Sequence, residues 1–282
     1  MAKVIAICNQ KGGVGKSTTA VNVGAYLALS GKRTLLVDLD PQGNATTACG
    51  VSRKELEKDC YAVLVHGVPV AEAIQKTPVE GLEILPASLD LAGAEPYLAA
   101  AEGREGMLRT ICEPLRSAYD FVLLDCPPSL GLLTVNALGA ADSTMIPVQC
   151  EYLALEGLNA LLHAVTLVKQ RLNPALRVGG VVLTMADFRA NLSREVAQEV
   201  REFFKDLVFQ AAIPRNIRLA ESPSFGKPIC LYDPQSTGAA AYQLLTKELL
   251  TKEHEAALSE PIRLRSGFVL SPSKDEPVEH AA

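Results

Sequence analysis

The chain has 282 residues, 48% hydrophobic and 21% charged, with 27 Lys and Arg against 32 Asp and Glu for a net charge of −5. That balance excludes a disordered or fibrous chain and a protein coated in positive charge, while leaving room for a local basic patch. Tryptophan is absent and aromatics are 5%, so Ala, Val, Leu and Ile must carry the core; no apolar run reaches the ~20 residues that cross a bilayer, and the N-terminal run is too short for a secretory signal.

In chain order, the apolar run 3–8 predicts a strand, followed by a Gly-rich loop and a helix over 16–30 that Gly31 stops. Further strands are predicted at 33–38, 82–85, 121–125, 144–148, 178–184 and, more weakly, 207–213. Helical patterns fall at 105–116, 132–140, 154–172, 193–204 and 237–250. Continuous apolar strands alternating with helices imply right-handed crossovers, hence an α/β fold: a doubly wound, mostly parallel sheet flanked by helices. Residues 1–250 read as one domain, and 251–282, rich in Ser, Pro, Glu and Lys, as a tail without its own core. The seven cysteines are scattered without a C-x-x-C pair, which suits reduced buried thiols better than zinc or an iron–sulfur cluster.

The strongest motif is Lys11-Gly12-Gly13-Val14-Gly15-Lys16-Ser17-Thr18, placed between a strand and a helix as a phosphate-binding P-loop requires. Glycines let backbone N–H groups turn inward around phosphate oxygens; Lys16 adds a point charge at the β- and γ-phosphates, and the Ser17 hydroxyl suits a magnesium ion. Gln10 stands where the usual pattern has glycine, and Lys11 adds a second lysine. A bare turn has no need of two lysines and a Ser-Thr pair. Nucleotide hydrolysis also needs carboxylates at the C-terminal ends of neighbouring strands. Asp125 after 121–124 reads as a magnesium-holding acid, Asp38 is similar in kind, and Asp40 in the following loop is placed to orient the attacking water.

These motifs resemble those of the ParA/Soj/MinD ATPases. Lys11–Thr18 is similar to their deviant Walker A motif, Asp38-Leu39-Asp40-Pro41-Gln42-Gly43-Asn44 to switch I, and Asp125-Cys126-Pro127-Pro128-Ser129 to Walker B and switch II. Residues 213–229 resemble a segment typical of chromosomal ParA proteins, so the resemblance runs over about 3–250. It implies an ATPase using ATP and Mg2+, weak alone and stimulated by a ParB-type centromere-binding partner. Lys11 would reach the nucleotide of the other subunit in an ATP sandwich homodimer, Asp40 would be the catalytic carboxylate beside Lys11 and Lys16, and Pro214 and Asn216 would lie against adenine. Ser17, Asp38 and Asp125 would hold the metal. Arg189 and Arg218 would bind double-stranded DNA without sequence preference, giving a cytoplasmic, nucleoid-associated protein that moves chromosomes or plasmids.

Four rivals share the loop. A membrane-binding MinD-like ATPase needs a basic amphipathic C-terminal helix, which 277–282 do not supply. An iron–sulfur carrier needs ligand cysteines in register. A small-molecule ligase or kinase needs a substrate pocket in place of the Arg-rich segment. A pure ATP-switched binding module has no use for Asp40. Charge alone does not decide for DNA: residues 185–230 hold seven Lys and Arg against six acids.

Overall fold

The strands form where continuous apolar sequence can be buried on both faces. The computed structural model describes residues 1–151 and 156–258. Its strands are β1 (Lys3–Ile7), β2 (Thr34–Asp38), β3 (Gln75–Lys76), β4 (Leu82–Leu85), β5 (Phe121–Asp125), β6 (Ser143–Gln149), β7 (Arg177–Ala186) and β8 (Val208–Pro214). They make one sheet in the order β3-β4-β2-β5-β1-β6-β7-β8. Every neighbouring pair is parallel except β3 with β4. This is the doubly wound α/β fold expected. The short antiparallel β3 is an addition: its two residues are polar and exposed, so no apolar period marks it.

Side chains alternate across the sheet and fill two cores. Val4, Ala6, Leu35, Val37, Val122 and Leu124 face one. Ile5, Ile7, Leu36, Phe121 and Leu123 face the other. Both faces are covered by helices, as a parallel sheet requires. Gly180 in β7 is needed for this packing, because a Cβ there would come 2.3 Å from the buried Phe209 ring.

The predicted helices at Lys16–Leu29, Leu132–Ala140, Glu156–Arg171 and Asn191–Phe204 form within a few residues of expectation; residues 154 and 155 of the third lie outside the described residues. The pattern at 105–116 forms two short helices, Met107–Cys112 and Leu115–Ala118. Pro114, which has no N–H to continue the ladder, separates them. The last helix does not stop at 250 but runs Thr237–Leu258. Its Tyr242 hydroxyl is 3.2 Å from that of Thr19 in the first helix. One turn past the expected end, the buried Glu253 takes Arg177 Nη2 at 2.7 Å on both oxygens and Lys3 Nζ at 3.5 Å. That clamps the starts of β7 and β1. The tail reading for 259–282 falls outside the described residues.

Candidate functional site

The parallel register brings the C-terminal ends of three central strands level: Ile7 pairs with Asp125, and Asp125 with Asp38. The loop after β1 then closes over these ends. Gly13 and Gly15 take φ of +75° and +89°, the left-handed region that glycine enters without a Cβ penalty. Gly15 caps the Lys16–Leu29 helix. Side-chain bonds hold the loop: Asn9 Nδ2 donates to Pro147 O at 2.7 Å, the Lys11 amide to Asn9 Oδ1 at 3.1 Å, and Thr184 Oγ1 to Val14 O at 2.9 Å. A loop fixed on β6 and β7, ending at a helix N-terminus, is preorganised for an anion.

A cavity of about 500 Å³ opens over it, lined by Gly12, Gly13, Gly15, Lys16, Ser17 and Thr18 and, from switch I, by Asp40 and Gln42. Lys16 is 6% exposed, and its Nζ donates to Lys11 O at 3.4 Å. Burial pulls its pKa down, while Asp125 above all, with Cys126, Asp40 and Cys8, pulls it back up.

The two strand-end acids differ in what they touch. Asp38 Oδ1 accepts the Asp40 amide at 3.1 Å, and Oδ2 accepts the amide and the hydroxyl of Thr46 at 2.8 and 2.7 Å. Burial nevertheless lifts its pKa to about 6, against the pull of those bonds. Asp125 is fully buried, and neither carboxylate oxygen has a hydrogen-bond partner of ordinary geometry. Burial first, then the Asp38 charge, raises its pKa well above the carboxylate range; the nearby Ser17 hydroxyl and the Lys16 ammonium counter this in part. A buried carboxylate with two free oxygens, beside a hydroxyl and facing an anion loop, is the donor set a magnesium ion takes. The residues therefore fit nucleotide phosphates and a hard divalent cation. Of the expected metal set, Ser17 and Asp125 have oxygens to offer, whereas Asp38 is tied to Thr46 and the Asp40 amide.

Pro214 and Asn216 do not line this cavity. Asn216 caps the Ile217–Glu221 helix through the Leu219 amide (3.1 Å) and donates to Thr237 Oγ1 (2.9 Å). Arg189, 92% exposed in its side chain, forms a two-pronged ion pair with Asp187, both bonds 2.8 Å, and holds that acid down to about 2. Arg218 pairs with Glu221 (3.0 Å) and Asp233 (3.3 Å). Sequence reasoning missed Asn9, Thr46 and Thr184: Asn9 and Thr184 act through the distant Pro147 and Val14, and Thr46 through Asp38, eight residues before it. Among the described residues, no cluster of His, Cys, Asp and Glu suits a metal by itself, and no helix is long and apolar enough to cross a membrane.

A family model described as an AAA domain matches residues 2–178. The chain is 54% identical to the sporulation initiation inhibitor protein Soj of Bacillus subtilis over 88% of its own length and 98% of that protein. It is 48% identical to the chromosome-partitioning ATPase Soj of Treponema pallidum over 90% and 99%. Among solved structures, cobyrinic acid a,c-diamide synthase of Mycobacterium smegmatis with bound ATP analogue and magnesium matches with a TM-score of 0.80 at 38% identity, covering 91% of this chain and 97% of that one.

Proposed function

The chain belongs to the ParA/Soj family of chromosome-partitioning ATPases, and from that premise we propose that it is an ATP-driven DNA-partition switch. The diamide synthase name belongs to the mycobacterial protein; 54% identity with Soj over nearly the whole chain outweighs 38%. The observation that carries the reading is the convergence of Lys16, Ser17 and Asp40 at one cavity over the glycine loop, with the unpartnered carboxylate of Asp125 buried beneath it next to Ser17 and Lys16.

The amides of 12–18 and the Lys16 ammonium bind the β- and γ-phosphates of ATP, and Pro214 and Asn216 serve the adenine end. Ser17 and Asp125 hold magnesium, with Asp38 behind them keeping the Thr46 segment in place. Bound magnesium neutralises charge on the phosphate oxygens. Asp40 sits in switch I with its carboxylate accepting the Gln42 amide at 2.9 Å. It orients water for attack on the γ-phosphorus, where the new P–O bond forms as the bond to the β-γ bridging oxygen breaks and ADP leaves. Lys11, half-buried on the same loop, reaches the nucleotide of a second subunit, where an added cation lowers the repulsion between two facing triphosphates. In that homodimer Arg189 and Arg218 of both copies face non-specific double-stranded DNA, placing the protein on the nucleoid in the cytoplasm. A ParB-type partner accelerates hydrolysis and so release.

The test is turnover and DNA co-sedimentation with ATP, ADP and no nucleotide. Asp40→Ala should keep ATP binding and ATP-dependent DNA binding while turnover falls at least about 100-fold. Unchanged turnover removes Asp40 from the chemistry, and DNA binding indifferent to nucleotide sinks the switch.

A further inference from the structure

One cation of the phosphate cavity takes no part in the proposed reaction. Among the described residues, Lys16 and Lys227 are its two basic lining residues and Asp40 its one acid. Lys16 is buried, whereas Lys227 is exposed at the rim.

The backbone at 227 is fixed from both sides. On one side, Gly226 lies directly against Gly50 at the end of the Asn44–Ala48 helix: a Cβ on Gly226 would sit 2.8 Å from Gly50 Cα, and one on Gly50 2.8 Å from Gly226 O. Both glycines have positive φ, +61° and +79°. On the other side, the Ile229 amide donates at 2.8 Å to Oδ1 of Asn22, whose Nδ2 donates at 2.8 Å to Thr18 O in the phosphate loop's own helix. Position 227 is thus strung between the turn that follows the Asn44–Ala48 helix and the P-loop helix, and its amide bonds Ser222 O at 3.3 Å. Such anchoring preorganises a side chain for a ligand.

The ammonium has no carboxylate within ion-pairing distance among the described residues. This distinguishes it from the neighbouring cations: Arg215 pairs with Glu151 at 2.6 Å, and Arg218 and Arg189 have the acids named above. An unpaired lysine held on the wall of an anion cavity has as its natural counter-ion whatever anion fills that cavity.

We propose that Lys227 is a nucleotide-contacting residue, its ammonium closing on the polyphosphate chain from the rim as a second cation from the same subunit as Lys16. The inference rests on the reading of the cavity as an ATP site. A lysine acts as a point charge without a fixed fork, so arginine can replace it and a neutral residue cannot. Because its ammonium meets no protein carboxylate among the described residues and acts only on the bound anion, its contribution should scale with the number of phosphates.

The experiment is binding of fluorescent ATP, ADP and AMP analogues, read by anisotropy, to the wild-type chain and to Lys227→Ala, Lys227→Gln and Lys227→Arg, with circular dichroism melts of each. The neutral variants should bind ATP about five- to tenfold more weakly, lose less on ADP and nothing on AMP, while Lys227→Arg stays within about twofold of wild type. Equal ATP affinity in all four overturns the inference and leaves the nucleotide reading standing. Loss of DNA co-sedimentation at unchanged ATP affinity also overturns it, moving Lys227 to the DNA face. A wild-type chain that binds no nucleotide overturns both.

Discussion

Asp125→Asn should make the empty protein more stable while weakening its response to magnesium. The carboxylate is fully buried with both oxygens unpartnered, next to a second buried acid. Leaving a buried ionised group without hydrogen bonds costs about 1–3 kcal/mol or more. The isosteric amide removes the charge, keeps the volume and can donate to Asp38. Taking ~2 kcal/mol as the gain, a chain of this size should melt roughly 4–8 °C higher. The sign with pH follows from the shift. Burial raises the folded pKa above the unfolded one, so the wild-type carboxyl costs nothing below its unfolded pKa, and the cost grows as pH rises from there until it is complete above the folded value. Asp38, lifted to about 6, adds to the same trend. The melting gain should therefore be larger at pH 8 than at pH 5. The assay is differential scanning fluorimetry at both pH values, with and without Mg·ADP; the wild type should gain more from the ligand than the variant. A variant that melts at or below wild type at pH 8 without ligand refutes the argument from burial.

Lys16→Ala should abolish nucleotide binding in the anisotropy assay, since among the described residues no other buried ammonium lines the cavity; retained affinity would move the phosphate site. Arg189→Ala should lower the slope of log affinity against log salt for DNA by about two per dimer, one phosphate contact per subunit, and leave ATP-dependent dimerisation intact by size exclusion. An unchanged slope would assign the DNA face to other residues. Gly180→Ala should cost about 1–3 kcal/mol in urea unfolding, because the new methyl group meets the fully buried Phe209 ring at 2.3 Å. A neutral result would show that the ring can turn aside.

The parts of this molecule readable from sequence are those written locally. The P-loop, switch I and Asp125 each lie within a few residues of a strand end, so spacing alone assigns them to one edge of a parallel sheet. The short helices at Cys60–His66 and Ala94–Ala100 escape because seven residues complete barely two turns and carry no lasting period. β3 escapes because an exposed edge pairing leaves no apolar trace. At the site, what distinguishes Asp38 from Asp125 is invisible in sequence, where both are acids ending apolar runs. One is bound by Thr46, eight residues on, and the other is not. The docking of Gly50 on Gly226 and of Ile229 on Asn22 joins residues 176 and 207 positions apart, which no window can reach.

Glu253 carries a practical consequence. It is the counter-ion for Arg177 and Lys3 at the pole of the sheet opposite the phosphate loop. A chain shortened to residue 250, where the sequence suggests the folded unit ends, would keep every motif and yet expose two strand starts whose cations have lost their shared acid. The ion pair thus ties the final turns of the last helix to the base of the sheet, so a cut placed by motif alone would separate two parts that the fold joins.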